Sequence, residues 1–410
     1  MDKVSLALIG AGSRSRAYTS QLVGNDNAEL VSVVEPDKDR RELIRTTFNI
    51  KPDMAFSNED DFFNSTKCAD AVLICTMDRE HHRQAIKAIK KGYDVLLEKP
   101  VSLKASDCID ILDCANKYDA KVMVCHVLRY APFFQKIKQI LNEGKLGKVI
   151  SIQHNENINI FHYSHSYVRG NWRKTSEASP IILAKSCHDF DIINWLVNDK
   201  CKSVSSFGGL SYFKRENAPA NSTGRCFNCP ERNSCIFNAE KIYLEGYWWN
   251  KGAVNLTDQS DAGIRSALKE GPYGRCVFKC DNDVCDHQVS ILEFENGVTA
   301  SFSMSAFTNP CSRTIKVMCE KGEIRGNMAE IEIQLFGSEP EKIKMAEIVD
   351  DIEKHGGGDY YLLNDFIGWL QDKDAFARTT LSQSIDSHLM AFAAEKSRIE
   401  HRVISMQDLL

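Results

Sequence analysis

The sequence predicts an α/β protein of two domains, a doubly wound parallel sheet followed by a domain built on a sheet with one packed and one open face. Three observations carry this. Short apolar runs alternate with amphipathic segments over residues 1–125. After about residue 150 the pattern turns to strict apolar–polar alternation around a hairpin signal. At 410 residues the chain exceeds one ordinary hydrophobic core.

Taken in order, Val4 to Ile9 is a short apolar run followed at once by glycines. Glu29 to Val34 comes next and is closed by Glu35-Pro36; Ala71 to Cys75, Asp94 to Leu97 and Lys121 to Cys125 follow. The segments His82 to Lys91 and Ala105 to Tyr118 are amphipathic. Continuous apolar strands separated by helices read as a parallel sheet covered on both faces. The remainder, 126–410, is assigned to a second domain. Within it Val289 to Glu295 and Val298 to Ala306 flank Asn296-Gly297. Val298, Ala300, Phe302, Met304 and Ala306 alternate with Thr299, Ser301, Ser303 and Ser305, so one face of this sheet is packed and the other open. Arg313 to Cys319 continues the meander. A Cys- and aromatic-rich excursion occupies about 205–285, and a helical tail, Tyr360 to Leu370 and Ser382 to Ile399, closes the chain.

A formal net charge of −5 supplies no basic excess to neutralise phosphates, which excludes a general nucleic-acid binder. No apolar stretch approaches the ~20 residues of a membrane helix. The first residues run straight into a strand without an export signal, so a cytoplasmic protein is expected. Cys75, Cys114, Cys125 and Cys319 fall in segments expected to be buried, where a reduced thiol acts as a small hydrophobe. In a reducing compartment the other cysteines read better as metal ligands than as disulfides.

The first strand runs into Gly10-Ala11-Gly12-Ser13-Arg14-Ser15. Gly10 suits a tight turn and Gly12 lets the backbone approach a pyrophosphate, as in the dinucleotide fingerprint. Ser15 replaces the third glycine. Glu35 ends the second strand, where a carboxylate accepts from ribose hydroxyls and repels a 2′-phosphate. NAD is therefore favoured over NADP.

Further motifs converge. Thr76 and His81 follow the fourth strand, Glu98-Lys99-Pro100 the fifth, and His126-x-x-Arg129-Tyr130 the sixth; His188-Asp-Phe-Asp191 then opens a helix. In this order the chain resembles the Gfo/Idh/MocA oxidoreductases, over nearly its whole length. The resemblance implies an N-terminal Rossmann doubly wound parallel sheet and a C-terminal α+β domain with a large open, mostly antiparallel sheet. It also implies a nicotinamide in the cleft between them and polyol or sugar substrates. Gly10, Gly12, Ser13, Arg14, Glu35, Thr76, His81, Glu98, Lys99 and Arg129 are assigned to the cofactor side.

Lys99 is expected to hydrogen-bond the reacting hydroxyl and stabilise alkoxide character. His188 is the candidate general acid/base. Asp191, one turn on, orients it or binds a substrate hydroxyl. Many family members carry an aspartate four residues before this histidine; here that position is Ala184, beside Lys185. Lys185 either adds a cation or marks a different proton relay. His162, His165, Tyr167, Arg169 and Trp172, within 155–174, are the expected substrate segment, offering aromatic faces and forked donors. His355, in His355-Gly-Gly-Gly-Asp359, is expected near the cleft.

Cys226-x-x-Cys229, Cys235 and a fourth ligand, Cys276 (with Cys280 and Cys285 competing), suggest a structural zinc site. An iron–sulfur cluster is the alternative, and unliganded thiols are the plain reading. The leading functional expectation is an NAD-dependent dehydrogenase acting on a CH–OH group of a sugar, cyclitol or glycoside. A redox-neutral glycosidase working by oxidation, elimination and reduction is the second, and a non-catalytic NAD or sugar sensor the third. The open sheet face suggests a homo-oligomer.

Overall fold

The computed structural model describes residues 3–246, 251–348, 357–372, 375 and 377–409. Its first sheet holds β1 (Val4–Ile9), β2 (Ala28–Val34), β3 (Ala55–Phe56), β4 (Ala71–Ile74), β5 (Asp94–Leu97) and β6 (Val122–Val124). Their order is β3-β2-β1-β4-β5-β6, parallel throughout. This is the doubly wound order, with a switch point between β1 and β4 where ligands bind outside the strand ends. Every residue of β4 is buried, as expected of strands covered on both faces. The covering helices are α1 (Arg16–Leu22), α2 (Lys38–Thr47), α3 (Glu59–Asn64), α4 (His81–Lys90) and α5 (Ala105–Tyr118). Asp37 and Asn58 cap α2 and α3, their side chains accepting from Arg40 N and Asp61 N.

After α6 (Pro132–Asn142) the chain builds a nine-stranded sheet from β7 (Val149–Asn157), β8 (Cys201–Gly209), β9 (His287–Phe294), β10 (Thr299–Ser305), β11 (Ser312–Cys319), β12 (Gly322–Gly326), β13 (Glu330–Leu335), β14 (Glu341–Lys344) and β15 (Ile404–Ser405). The order is β14-β13-β12-β11-β7-β10-β9-β8-β15; only the β7–β10 pair is parallel. The expected hairpin is present, with Gly297 at φ +84° and its N–H donating to Phe294 O (3.0 Å). In β10 Ala300, Phe302 and Met304 are buried and the alternating Thr and Ser positions face outward.

Between β7 and β8 lie α7 (Ile160–Tyr163), a π-helical turn over Ser164–Arg169, α8 (Ile181–Ala184) and α9 (Cys187–Val197). The excursion between β8 and β9 contains α10 (Asp261–Glu270) and its own small core of Cys226, Ala239, Ile242, Tyr243, Ile264 and Leu268. The tail forms α11 (Gly358–Gln371) and α12 (Leu381–Glu400). Leu362, Leu363, Phe366 and Ile367 of α11 join the core on one face of the first sheet, while Leu381, Ile385 and Leu389 of α12 join the other. The C-terminal tail thereby packs on both faces of the first sheet. No helix among the described residues is long and apolar enough to cross a membrane.

Candidate active site

The glycine turn after β1 is shaped by steric necessity. Gly10 sits at φ +91°, and a Cβ there would lie 2.9 Å from the Cys75 carbonyl and from Thr76 Cγ2. At Gly12, by contrast, a Cβ would meet nothing within 4 Å. That space, beside a backbone without side-chain cover, fits a pyrophosphate at the switch point. Glu35 reaches the same turn: its Oε2 accepts from Ala11 N (2.7 Å) and its Oε1 from Asp37 N (3.0 Å). A carboxylate has lone pairs beyond these two bonds, so it fits the ribose role as well. Ser13 is exposed on the turn.

The Arg14 side chain is committed to the protein. It ion-pairs with Glu98 and with Asp359 of α11, and donates to Tyr18 Oη (2.6 Å). Burial alone raises Glu98, but Arg14 and Lys99 outweigh it and hold this carboxyl below its ordinary value. Any cofactor contact from residue 14 is therefore left to its backbone. His81 is a staple: Nδ1 stands 2.6 Å from Pro100 O and Nε2 3.2 Å from Thr76 O, joining the turns after β4 and β5. Thr76 Oγ1 donates to Gln84 Oε1 (2.6 Å).

Lys99 lies on the turn after β5, before a cis peptide to Pro100. Its Nζ donates to the backbone carbonyl of Ala184 (2.6 Å). That carbonyl belongs to the residue at which many family members are expected to carry an aspartate. Three residues past this contact α9 begins, and it brings in His188, buried, its ring 5.7 Å from that of His126. His126 stands 5.2 Å from His388 of α12. Burial first, then the charges of Arg129 and Lys99, keeps His126 far below its ordinary value. His388 is lowered to about 3, chiefly by burial. It accepts from Val101 N through Nε2 (3.0 Å) and faces Ser384 O through Nδ1 (3.0 Å).

Asp191 does not point into the cleft as an open carboxylate. Both oxygens accept from Arg129, Nε and Nη2, at 2.7 Å each, and both residues are buried. Arg129 also donates to Arg378 O (3.0 Å) and Gln383 O (3.3 Å). The pair therefore locks the end of β6 to α9 and the tail, and leaves neither residue a spare charge for ligand.

The opposite face of α9 meets a network that the sequence reading missed. Asp189 accepts from His154 Nε2 (2.7 Å) and Arg313 Nε (2.7 Å); Arg313 also donates to Glu156 Oε1 (2.7 Å). Glu156 takes a bond from Ser186 Oγ (2.9 Å) and an ion pair from Lys185 Nζ (3.4 Å). Burial and the nearby Asp189 raise Glu156, while Arg313, against the effect of burial, lowers Asp189.

The segment 155–174 divides. Trp172 Nε1 donates to Asp78 Oδ1 (3.2 Å), just after β4, and Ser179 Oγ donates to Asp78 Oδ2 (2.6 Å). Tyr167 stacks on Tyr163 at 5.6 Å and feels the charges of Glu156 and Asp78. His162 lies within 3.5 Å of Cys311 Sγ. Two residues turn away into the excursion. Arg169 is fully buried, donating to Arg275 O (2.8 Å) and Phe237 O (2.7 Å). His165 stacks flat on Tyr273 at 4.4 Å and faces Tyr243 Oη at 2.9 Å; burial lowers it to about 3. His355 lies outside the described residues. Among the described residues no three or more His, Cys, Asp or Glu are grouped to hold a metal ion, so the structure does not support the expected tetrahedral zinc site at Cys226, Cys229, Cys235 and Cys276.

Two family models match the chain: the NAD-binding Rossmann fold of the oxidoreductase family over residues 4–126, and its C-terminal α/β domain over 138–406. The chain belongs to the Gfo/Idh/MocA oxidoreductase family. It is 25% identical to YteT of Bacillus subtilis (strain 168) over 404 residues, 93% of this chain and 92% of YteT. It is 24% identical to the 2,7-anhydro-N-acetylneuraminate hydratase of Escherichia coli (strain K12), a match spanning 50% of this chain and 53% of the hydratase. Among solved structures, the WlbA dehydrogenase from Bordetella pertussis, in complex with NADH and UDP-GlcNAcA, shares the fold with a TM-score of 0.68 and 17% identity, covering 98% of this chain and 99% of that one.

Proposed function

We propose that this Gfo/Idh/MocA protein transfers a hydride reversibly between NAD and a hydroxyl of a sugar, cyclitol or glycoside. The observation that carries the reading is the Lys99 Nζ–Ala184 O bond of 2.6 Å, which ties the strand-end lysine to the segment leading into His188. One donor is spent on that carbonyl. The ammonium keeps two more to aim at a substrate oxygen as it gains alkoxide character. His188, on the helix that follows, receives the hydroxyl proton in the oxidative direction and returns it in the reductive one. The dinucleotide, when bound, supplies the hydride acceptor or donor. Gly10, Gly12, Ser13 and Glu35 would hold its pyrophosphate and ribose, and Glu35 favours NAD over NADP. Glu98, Thr76 and His81 keep the lysine turn in register. Lys185, Tyr167, Trp172 and His162 remain the proposed substrate contacts.

A spectrophotometric screen of sugars, cyclitols and aryl glycosides with NAD, scoring NADH and released aglycone together, tests this. NADH formed in proportion to substrate consumed supports it; turnover of no substrate class with either readout sinks it. Aglycone release without accumulated NADH would favour the redox-neutral reading. That reading has its own support in the likeness to an anhydrosugar hydratase and in Ala184 standing where an acid is expected. The proposal includes a cytoplasmic setting, which suits fifteen cysteines without a disulfide. It also includes pairing of two copies through the open sheet face, where Phe207, Val289 and Ile291 are exposed.

A further inference from the structure

The network on the opposite face of α9 holds two cations for which proton and hydride transfer have no need. Arg313 and Lys185 both reach one carboxylate oxygen, Glu156 Oε1, at 2.7 and 3.4 Å. Arg313 holds the closer place. At 3.4 Å Lys185 Nζ is beyond ordinary hydrogen-bond length, and it makes no hydrogen bond among the described residues. Its three N–H donors are unspent, although only 15% of the side chain is exposed. A charge so far withdrawn from water is costly until its donors find acceptors. Arg313 is similar at one edge. Its Nε and Nη2 are committed to Asp189 and Glu156, while Nη1 makes no hydrogen bond among the described residues, and 14% of the side chain is exposed.

Both cations border the reacting groups. Lys185 follows Ala184, whose carbonyl takes the Lys99 ammonium (2.6 Å), and precedes His188 by three residues. Lys185 N donates to Ile181 O (2.9 Å), closing α8 and fixing where the side chain leaves the backbone. Besides its burial, Cys187 in the first turn of α9 feels the charges of both Lys99 and Asp189. Tyr167, also buried, feels Glu156 and Arg313 together with Asp78 from the end of β4. The network therefore lies beside the lysine turn and the strand ends of the first sheet. Glu156 and Asp189 stand against Arg313, Lys185 and the neighbouring Lys99, and burial with the nearby Asp189 pushes the Glu156 carboxyl up. Asp78 has both oxygens taken by Trp172 and Ser179. The charge left without a hydrogen-bonded partner is positive.

We propose that Lys185, with the free edge of Arg313, binds a carboxylate carried by the substrate, so that sugar acids such as uronic acids are preferred over neutral sugars. This rests on the reading of the cleft as a hydride-transfer site and narrows its substrate class. A guanidinium edge and an ammonium can share the two oxygens of one carboxylate. An acid group held there fixes which ring hydroxyl meets Lys99 and His188. A phosphate monoester carries about two negative charges, more than a cation pair already leaning on Glu156 can match.

Calorimetry of the NAD-loaded full chain with D-glucuronate, D-galacturonate, D-glucose, D-galactose and glucose 6-phosphate, with NADH formation scored for each, provides the test. A uronate is expected to bind about tenfold or more tighter than the neutral sugar of the same configuration. Lys185→Met should abolish that preference with a melting temperature near that of wild type, since Lys185 makes no hydrogen bond to the fold, and Lys185→Arg should keep most of it. Wild type that binds neither uronate, binds acid and neutral sugar equally, or binds glucose 6-phosphate tighter than either uronate would overturn the proposal, as would an undiminished preference in Lys185→Met. A uronate bound with this preference but never oxidised would leave the anion site standing and remove hydride transfer; neutral sugars oxidised with no advantage to the acids would do the reverse.

Discussion

Replacing Asp191 by asparagine distinguishes a structural carboxylate from a substrate-binding one. In the structure Asp191 accepts two charge-assisted bonds from Arg129 at 2.7 Å, with both groups buried. Asparagine keeps the size and one acceptor but leaves the guanidinium without its counter-charge. Breaking a buried pair in this way costs about 3–5 kcal/mol. Arg129 retains its bonds to Arg378 O and Gln383 O, so the lower end applies, about 3 kcal/mol. At roughly 2–4 °C per kcal/mol for a domain of this class, the melting temperature should fall by about 6–12 °C. Differential scanning fluorimetry with and without NAD reads the shift, and steady-state kinetics accompany it. The double variant Arg129→Met, Asp191→Leu, which removes both charges, should recover most of the loss. A variant melting within about 2 °C of wild type, with its defect confined to a raised KM, would restore Asp191 to the substrate.

Other outcomes follow from the same geometry. Lys99→Met should lower kcat by about 10²–10³ with little change in melting temperature, since the side chain makes a single bond to Ala184 O; full activity would remove Lys99 from the chemistry. Glu35→Ala removes the acceptor for Ala11 N and should weaken NAD binding by about tenfold or more while narrowing its advantage over NADP. Unchanged dissociation constants by calorimetry would contradict that. His165 and His388 are held at about 3 in the fold, against about 6.5 unfolded. Below about pH 6.5 the unfolded chain binds protons that the folded one refuses, so this contribution is whole above 6.5 and fades as pH falls towards 3. Each histidine adds about 1.4 kcal/mol per pH unit to the slope. His165→Phe keeps an aromatic face on Tyr273 and should make urea stability between pH 5 and 7 less steep; an unchanged slope would count against a neutral His165.

The first domain was legible because its physics is local. Strands buried on both faces must be continuously apolar, and Ala71 to Ile74 are. Gly10 follows from a φ that side chains avoid. The second sheet was half legible. The β9–β10 hairpin announced itself through Asn296-Gly297, but β7, at its centre, was read partly as a loop from residue 155. Its inward positions include His154 and Glu156, which break the apolar alternation; Asp189 pairs with His154 Nε2, and Arg313, Ser186 and Lys185 pair with Glu156. Those partners are far apart in sequence, so no local pattern signalled the network. The histidine- and arginine-rich segment misled for the converse reason. Arg169 and His165 have the composition of a binding loop, yet they are spent on carbonyls and ring stacking in the excursion. The return of α11 to the first sheet, and with it the Arg14–Asp359 pair, is a long-range packing outcome that only the fold reveals.

Calorimetric titration of NAD into wild type and Gly12→Ala decides whether the glycine turn after β1 is a dinucleotide site. A methyl at this position meets no protein atom within 4 Å, so the fold should be indifferent to it, while the space beside the glycine turn is what the pyrophosphate needs. One saturable NAD site per chain is expected, weakened about tenfold or more in Gly12→Ala at an unchanged melting temperature. Wild type that binds neither NAD nor NADP, or a variant that binds NAD as tightly as wild type, would contradict it.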